Sequence, residues 1–220
     1  MDKQVEKALS AALQQFGGEA VSEFKERINT VFNSESDFMD KVALLDEAFD
    51  DTPVFESLRE VFFDLLMINF FVEDVKKLEE DYLESEEWED IEEETLDRGT
   101  ELLNVLLYLR ECQDEDIEPE LEDFLKEFLL VDEDEFQDEH RIYEDMIANQ
   151  ILMESSVEEI ARVSKELPES SELKELFYPV MAFFNQPEPS EDEMATFKKN
   201  SADAQFEGSV YGLLTAFNQN

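Results

Sequence analysis

Apolar residues are most concentrated at 61–72, Val-Phe-Phe-Asp-Leu-Leu-Met-Ile-Asn-Phe-Phe-Val, where ten of twelve positions are apolar and fall on every side of a helix. Such a stretch must be covered by neighbours all round. The run 54–82 that contains it is therefore expected to be the buried axis of a helical domain. Its apolar centre is about half the roughly 20 residues that a bilayer crossing needs, is broken by Asp64 and Asn69, and passes directly into Glu73-Asp74-Val75-Lys76-Lys77. A core helix fits these features and a membrane span does not. Thr52-Pro53 supplies a capping oxygen and a first-turn proline just before it.

Toward the N-terminus the apolar positions recur at helical spacing. Val5, Ala8, Leu9, Ala12, Leu13 and Phe16 predict a helix over 2–16, stopped by Gly17-Gly18. Val21, Phe24, Ile28, Val31 and Phe32 predict a second over 19–32, and Met39, Val42, Leu45 and Phe49 a third over 38–49 capped by Ser36 or Asp37.

After the central run, Trp88, Ile91 and Leu96, then Leu102 to Leu109, keep an apolar face going, with 84–94 locally loose. Loops are expected at 114–119 and 132–138, with helices over 121–131, 139–154, 155–167 and 172–184. Pro179 implies a kink or a late start in the last of these. Residues 186–193 read as an extended Pro/acidic linker. Residues 194–220 are weakly patterned: Phe197, Phe206, Val210, Tyr211, Leu213, Leu214 and Phe217 could dock a terminal helix, against which Gly208 and Gly212 count.

These elements predict an all-α fold of eight or nine helices, either a multi-helix bundle or a short irregular α-solenoid of antiparallel helix pairs, with one domain over 1–185. Three segments of like form, Leu58-Arg59-Glu60-Val61-Phe62, Leu121-Glu122-Asp123-Phe124-Leu125 and Leu173-Lys174-Glu175-Leu176-Phe177, raise the solenoid alternative. Their separations are unequal, and any amphipathic helix yields that pattern.

Composition supports helices, with only five Gly and six Pro in 220 residues. Nineteen Phe and 42% hydrophobic residues exclude a wholly disordered acidic chain. The charge changes the picture most: 60 acids stand against 17 bases, a formal net of −43. Between residues 73 and 140 there are 30 acids and five bases. Such a surface repels nucleic acid and anionic membrane and attracts basic proteins, at a cost in self-repulsion. A high-salt cytoplasm is one setting for it, but the eleven Lys to six Arg and the many aromatics run against that pattern.

Candidate chemistry is sparse. Five scattered glycines cannot build a phosphate-binding loop, and one Cys and one His, Cys112 and His140, fall short of a zinc site. The acidic clusters at 114–118 and 132–135 lack the glycine of a calcium loop. No catalytic, cofactor-binding or metal-ligating residue is expected, no disulfide can form within the chain, and the N-terminus carries no signal-peptide core. The expectation is a cytoplasmic, non-enzymatic protein.

What remains is the acidic surface. Helices lined with Asp and Glu can approach the charge density of duplex phosphates. The expected partner is a basic protein, such as a nucleic-acid-binding protein or a toxin, blocked in the manner of a DNA mimic, an anti-defence inhibitor or an immunity protein. No direct contact with nucleic acid or membrane is expected. The residues expected to carry this are Glu84, Glu86, Glu87, Glu89, Asp90, Glu92 and Glu93, then Asp114, Glu115 and Asp116, then Asp132, Glu133, Asp134 and Glu135. The alternative is a helical scaffold or helical-repeat adaptor whose acidity serves solubility.

Overall fold

The computed structural model describes residues 1–73, 85–132, 135–136 and 142–219. Helix α1 (Lys3–Phe16) is capped by the Asp2 carboxylate, which accepts from the amides of Gln4 at 2.8 Å and Val5 at 3.2 Å. Its predicted stripe is buried throughout, from Val5 to Phe16. Gly17, at φ +74°, turns the chain out while its N–H closes on the Leu13 carbonyl. Helices α2 (Val21–Phe32) and α3 (Phe38–Asp50) follow, the latter capped by Asp37. The predicted start at Pro53 is a 3-10 turn (Pro53–Leu58) that leads into α4 (Arg59–Glu73).

Helix α4 is buried on all sides from Val61 to Asn69, as its uniform apolarity requires. Phe55 stacks on Phe24 and Phe49 packs edge-on against it, and Phe24 and Phe49 reach Phe62. The two polar interruptions are both satisfied. Asn69 accepts the Asp2 amide at 2.8 Å, and Asp64 accepts from the Thr100 amide at 3.0 Å and its hydroxyl at 2.5 Å.

The described part of 84–94 differs from the expected looseness. From Glu86 they form α5 (Glu86–Thr95), because the Ser85 hydroxyl caps the Trp88 amide and Ile91 is buried. Then come α6 (Leu102–Glu115) and α7 (Leu121–Leu129). The helix expected to reach Val131 stops at Leu129, and strands β1 (Leu130–Asp132) and β2 (Glu135–Phe136) form a small antiparallel ribbon.

The helix expected over 139–154 is broken. Its described part is α8 (Glu144–Ala148) and a 3-10 turn (Gln150–Glu154), and at the junction the Asn149 side chain donates to the Asp145 carbonyl at 2.8 Å. Asparagine competes in this way with continued helical pairing. The break turns Ile147 and Ile151 outward while Met146 and Leu152 stay buried.

Helices α9 (Val157–Glu166), α10 (Lys174–Asn185), α11 (Glu191–Asn200) and α12 (Phe206–Asn218) complete the chain. Helix α10 starts at Lys174 and runs through Pro179. A capping box between Ser190 and Glu193 starts α11 inside the expected linker.

The C-terminal segment holds a second buried axis. Phe206 to Leu214 are buried without a break, and α12 packs most extensively on α1, then on α10. The glycines that counted against this helix make its contacts possible. A Cβ at Gly212 would lie 2.6 Å from Gln15 Cγ, and one at Gly208 would lie 2.7 Å from Lys198 Cε.

Because the first helix packs on the last, the architecture is a bundle. In a solenoid each unit would touch only its neighbours.

Candidate functional site

Helix α5 gathers the largest set of the expected residues. Glu86 in its first turn suits the positive helix N-terminus, but Glu93 and Glu94 crowd the negative end, where no basic residue stands. The helix holds because one face is anchored: Ile91 is buried, the Thr95 hydroxyl donates to the Ile91 carbonyl at 2.6 Å, and Trp88 packs on Phe71 with ring centroids 5.6 Å apart.

Glu86, Glu89, Asp90, Glu92 and Glu93 are exposed, and among the described residues none forms an ion pair. Residues 86–94 hold seven acids. At about 1.5 Å rise per residue this is one charge per roughly 1.9 Å of axis, close to the roughly 1.7 Å of a DNA duplex.

The other expected residues sit on separate elements. Asp114, Glu115 and Asp116 are exposed at the C-terminal end of α6, where Asp116 adopts φ 58° and Asp114 lies 3.7 Å from Arg110. Asp132 and Glu135 are backbone partners across the ribbon. Glu87 lies within α5. Glu84, Glu133 and Asp134 fall outside the described residues, as does His140. Cys112 is buried in α6.

The described arginines are all engaged internally. Arg27 pairs with Asp51 at 2.7 Å, Arg59 with Asp50 at 2.6 Å, Arg110 with Asp114 at 3.7 Å and Arg162 with Glu159 and Glu166 at 2.7 Å each. Arg98 is the most connected across the fold. Its guanidinium donates to Asp46 of α3 at 3.0 Å and to Glu60 of α4 at 3.1 Å, and lies 4.8 Å from the centre of the Phe63 ring.

Gly99 and Thr100 continue this seam. The Gly99 amide donates to Glu60 at 2.7 Å, and Thr100 meets Asp64. Burial pushes the Asp64 carboxyl well above the usual range; the Thr100 hydrogen bonds oppose that rise, and the charges of Glu60 and Glu101 add to it. Asp64 was visible in the sequence only as an interruption of the apolar run. Its partner, 36 residues away, carries no sequence signal.

Between α4, α5 and the start of α6 lies an open groove of about 680 Å³. Glu89, Glu92 and Glu93 form one wall, and Leu96, expected on the buried face, stands 82% exposed at its lip. Leu96 is the capping residue at the end of α5, where the helical periodicity that predicted its burial ceases.

Among the described residues no group of three His, Cys, Asp or Glu is arranged to hold a metal ion, and no helix is long and apolar enough to cross a membrane. The molecule is thus an all-α bundle bearing an acidic helix beside an apolar groove. None of the protein families, curated proteins or solved structures with which the chain was compared matches it.

Proposed function

We propose that this protein is a non-enzymatic binder that occupies and blocks the basic surface of a partner protein, as a DNA mimic or an immunity-type neutraliser does. The observation that carries this reading is the division of charge. Arg27, Arg59 and Arg98 sit at seams between elements, while the outer face of α5 presents carboxylates without counter-cations among the described residues. Unopposed charge of one sign steers a complementary partner into encounter and discriminates against like-charged ones.

The test is capture on immobilised protein from native host lysate at about 0.15 M salt, where the screening length is about 8 Å, with elution in salt steps. The comparison is a variant carrying Glu86→Lys, Glu89→Lys and Asp90→Lys. One basic protein released at a defined salt step by the wild type and not retained by the variant supports sequestration. Scattered basic proteins leaving both columns at low salt would show that the charge serves solvation alone.

A further inference from the structure

The groove beside α5 combines two features that a merely solvated surface lacks together. Its floor is apolar: Phe63 and Met67 are buried beneath it, with Phe71, Trp88 and Leu103 half-buried along it. Leu96 at the lip is more exposed than any other large apolar side chain among the described residues. Exposed apolar surface rimmed by charge marks an interaction site more often than a solvated face.

Among the described residues the uncommitted charges around it are negative. Glu89, Glu92 and Glu93 face the groove. Arg98 also borders it, but its guanidinium is held by Asp46 and Glu60 and lies over Phe63, so the described lining offers no uncommitted cation. Among the described lining residues, an anionic ligand would meet three carboxylates that no uncommitted cation offsets, and a neutral apolar ligand would leave them unused. The lining is complementary to a ligand that is apolar at its centre and cationic at its flanks.

We propose that the groove binds a short basic segment of a partner protein, seating one bulky apolar side chain against Trp88 and Leu96 while flanking lysines or arginines face Glu89, Glu92 and Glu93. This rests on the acidic-binder reading above and gives it a specific contact. The cations supply steering, and the apolar anchor supplies the selectivity that exposed ion pairs provide only weakly.

The test uses two short synthetic peptides of equal lysine content, one with a central Leu-Phe pair and one with serines at those positions. Binding is followed by peptide fluorescence anisotropy and by the emission of Trp88, the chain's single tryptophan. The Leu-Phe peptide should bind at least about tenfold more tightly, a ratio that corresponds to about 1.4 kcal/mol, and should shift the Trp88 emission.

Leu96→Ser should abolish that preference. Because Leu96 is largely exposed the variant should stay folded, which a melting curve checks. Glu92→Gln with Glu93→Gln should weaken binding more than the same charge change at Glu115 and Glu118, which are exposed on and after the end of α6. Equal binding of both peptides, with Trp88 silent and Leu96→Ser without effect, would overturn the groove proposal and leave the acidic-binder reading standing. Absence of binding by either peptide at about 0.15 M salt would count against both.

Discussion

Gly99→Ala tests the seam between α4 and the segment that follows α5. Gly99 has φ +82°, where an alanine costs about 1–2 kcal/mol in backbone strain. Its Cβ would also lie 2.5 Å from Asp64 Oδ1 and 3.2 Å from a Phe63 ring carbon. Asp64 is fully buried, so its carboxylate has little room to retreat without losing the Thr100 amide or hydroxyl.

Leaving a buried hydrogen-bonding group unsatisfied costs about 1–3 kcal/mol, which brings the expected loss to about 2–5 kcal/mol. For a chain of this size that is a fall in melting temperature of about 4–20 °C. Gly17→Ala is the internal control: φ is +74°, but a Cβ there meets nothing within 4 Å, so only the backbone strain applies. Thermal unfolding followed by far-UV circular dichroism and urea midpoints would measure both. If Gly99→Ala proved no more destabilising than Gly17→Ala, the carboxylate would not be held where the structure holds it.

Other perturbations follow the same reasoning. Asp64→Asn keeps an acceptor for the Thr100 amide and offers a donor to its hydroxyl. Asp64's folded pKa is raised, so its favourable contribution exists below the unfolded carboxyl pKa and is lost as pH rises through the folded value. The variant should therefore melt higher than wild type at a pH of about 8, with the gap closing on acidification; a pH-independent gap would contradict this. At the α1–α12 contact, Gly212→Val should destabilise by about 1–3 kcal/mol through overpacking, read from the urea midpoint. Gly212→Ala should cost less than Gly212→Val, since a gain of about 1 kcal/mol in helix propensity partly offsets the 2.6 Å approach to Gln15 Cγ.

The sequence disclosed the helices because each had to bury a face. The stripe from Val5 to Phe16 and the all-round apolarity of 61–72 could be read directly. It was misleading where a residue's role depends on a distant partner. Gly208 and Gly212 weaken an isolated helix, yet they are what allows α12 to approach Lys198 and Gln15. Asn149 ended a helix that the apolar spacing continued. The acidic face of α5 was legible because it is local. The groove was not, since it needs α4 and α6 brought against α5, and Leu96 looked like one more core position until the helix was seen to end there.

The same charge that would recruit a partner works against the fold, and salt separates the two effects. Carboxylates packed at roughly 1.9 Å of axis each along α5 repel one another over distances that a screening length of about 8 Å at 0.15 M barely attenuates and one of about 3 Å at 1 M largely removes. Raising salt should therefore raise the melting temperature of the free protein. It should also weaken association with a basic partner, because the attraction is screened as effectively as the repulsion.

The opposite slopes are diagnostic. A scaffold whose acidity serves only solubility would show the first and not the second. A binder held through the apolar groove as well would lose affinity to salt only down to a floor set by the seated side chain. Measuring melting temperature and peptide affinity over one salt series in the same preparation distinguishes the three. Affinity that fell without limit would leave no role for Leu96, and affinity indifferent to salt would leave none for the carboxylates of α5.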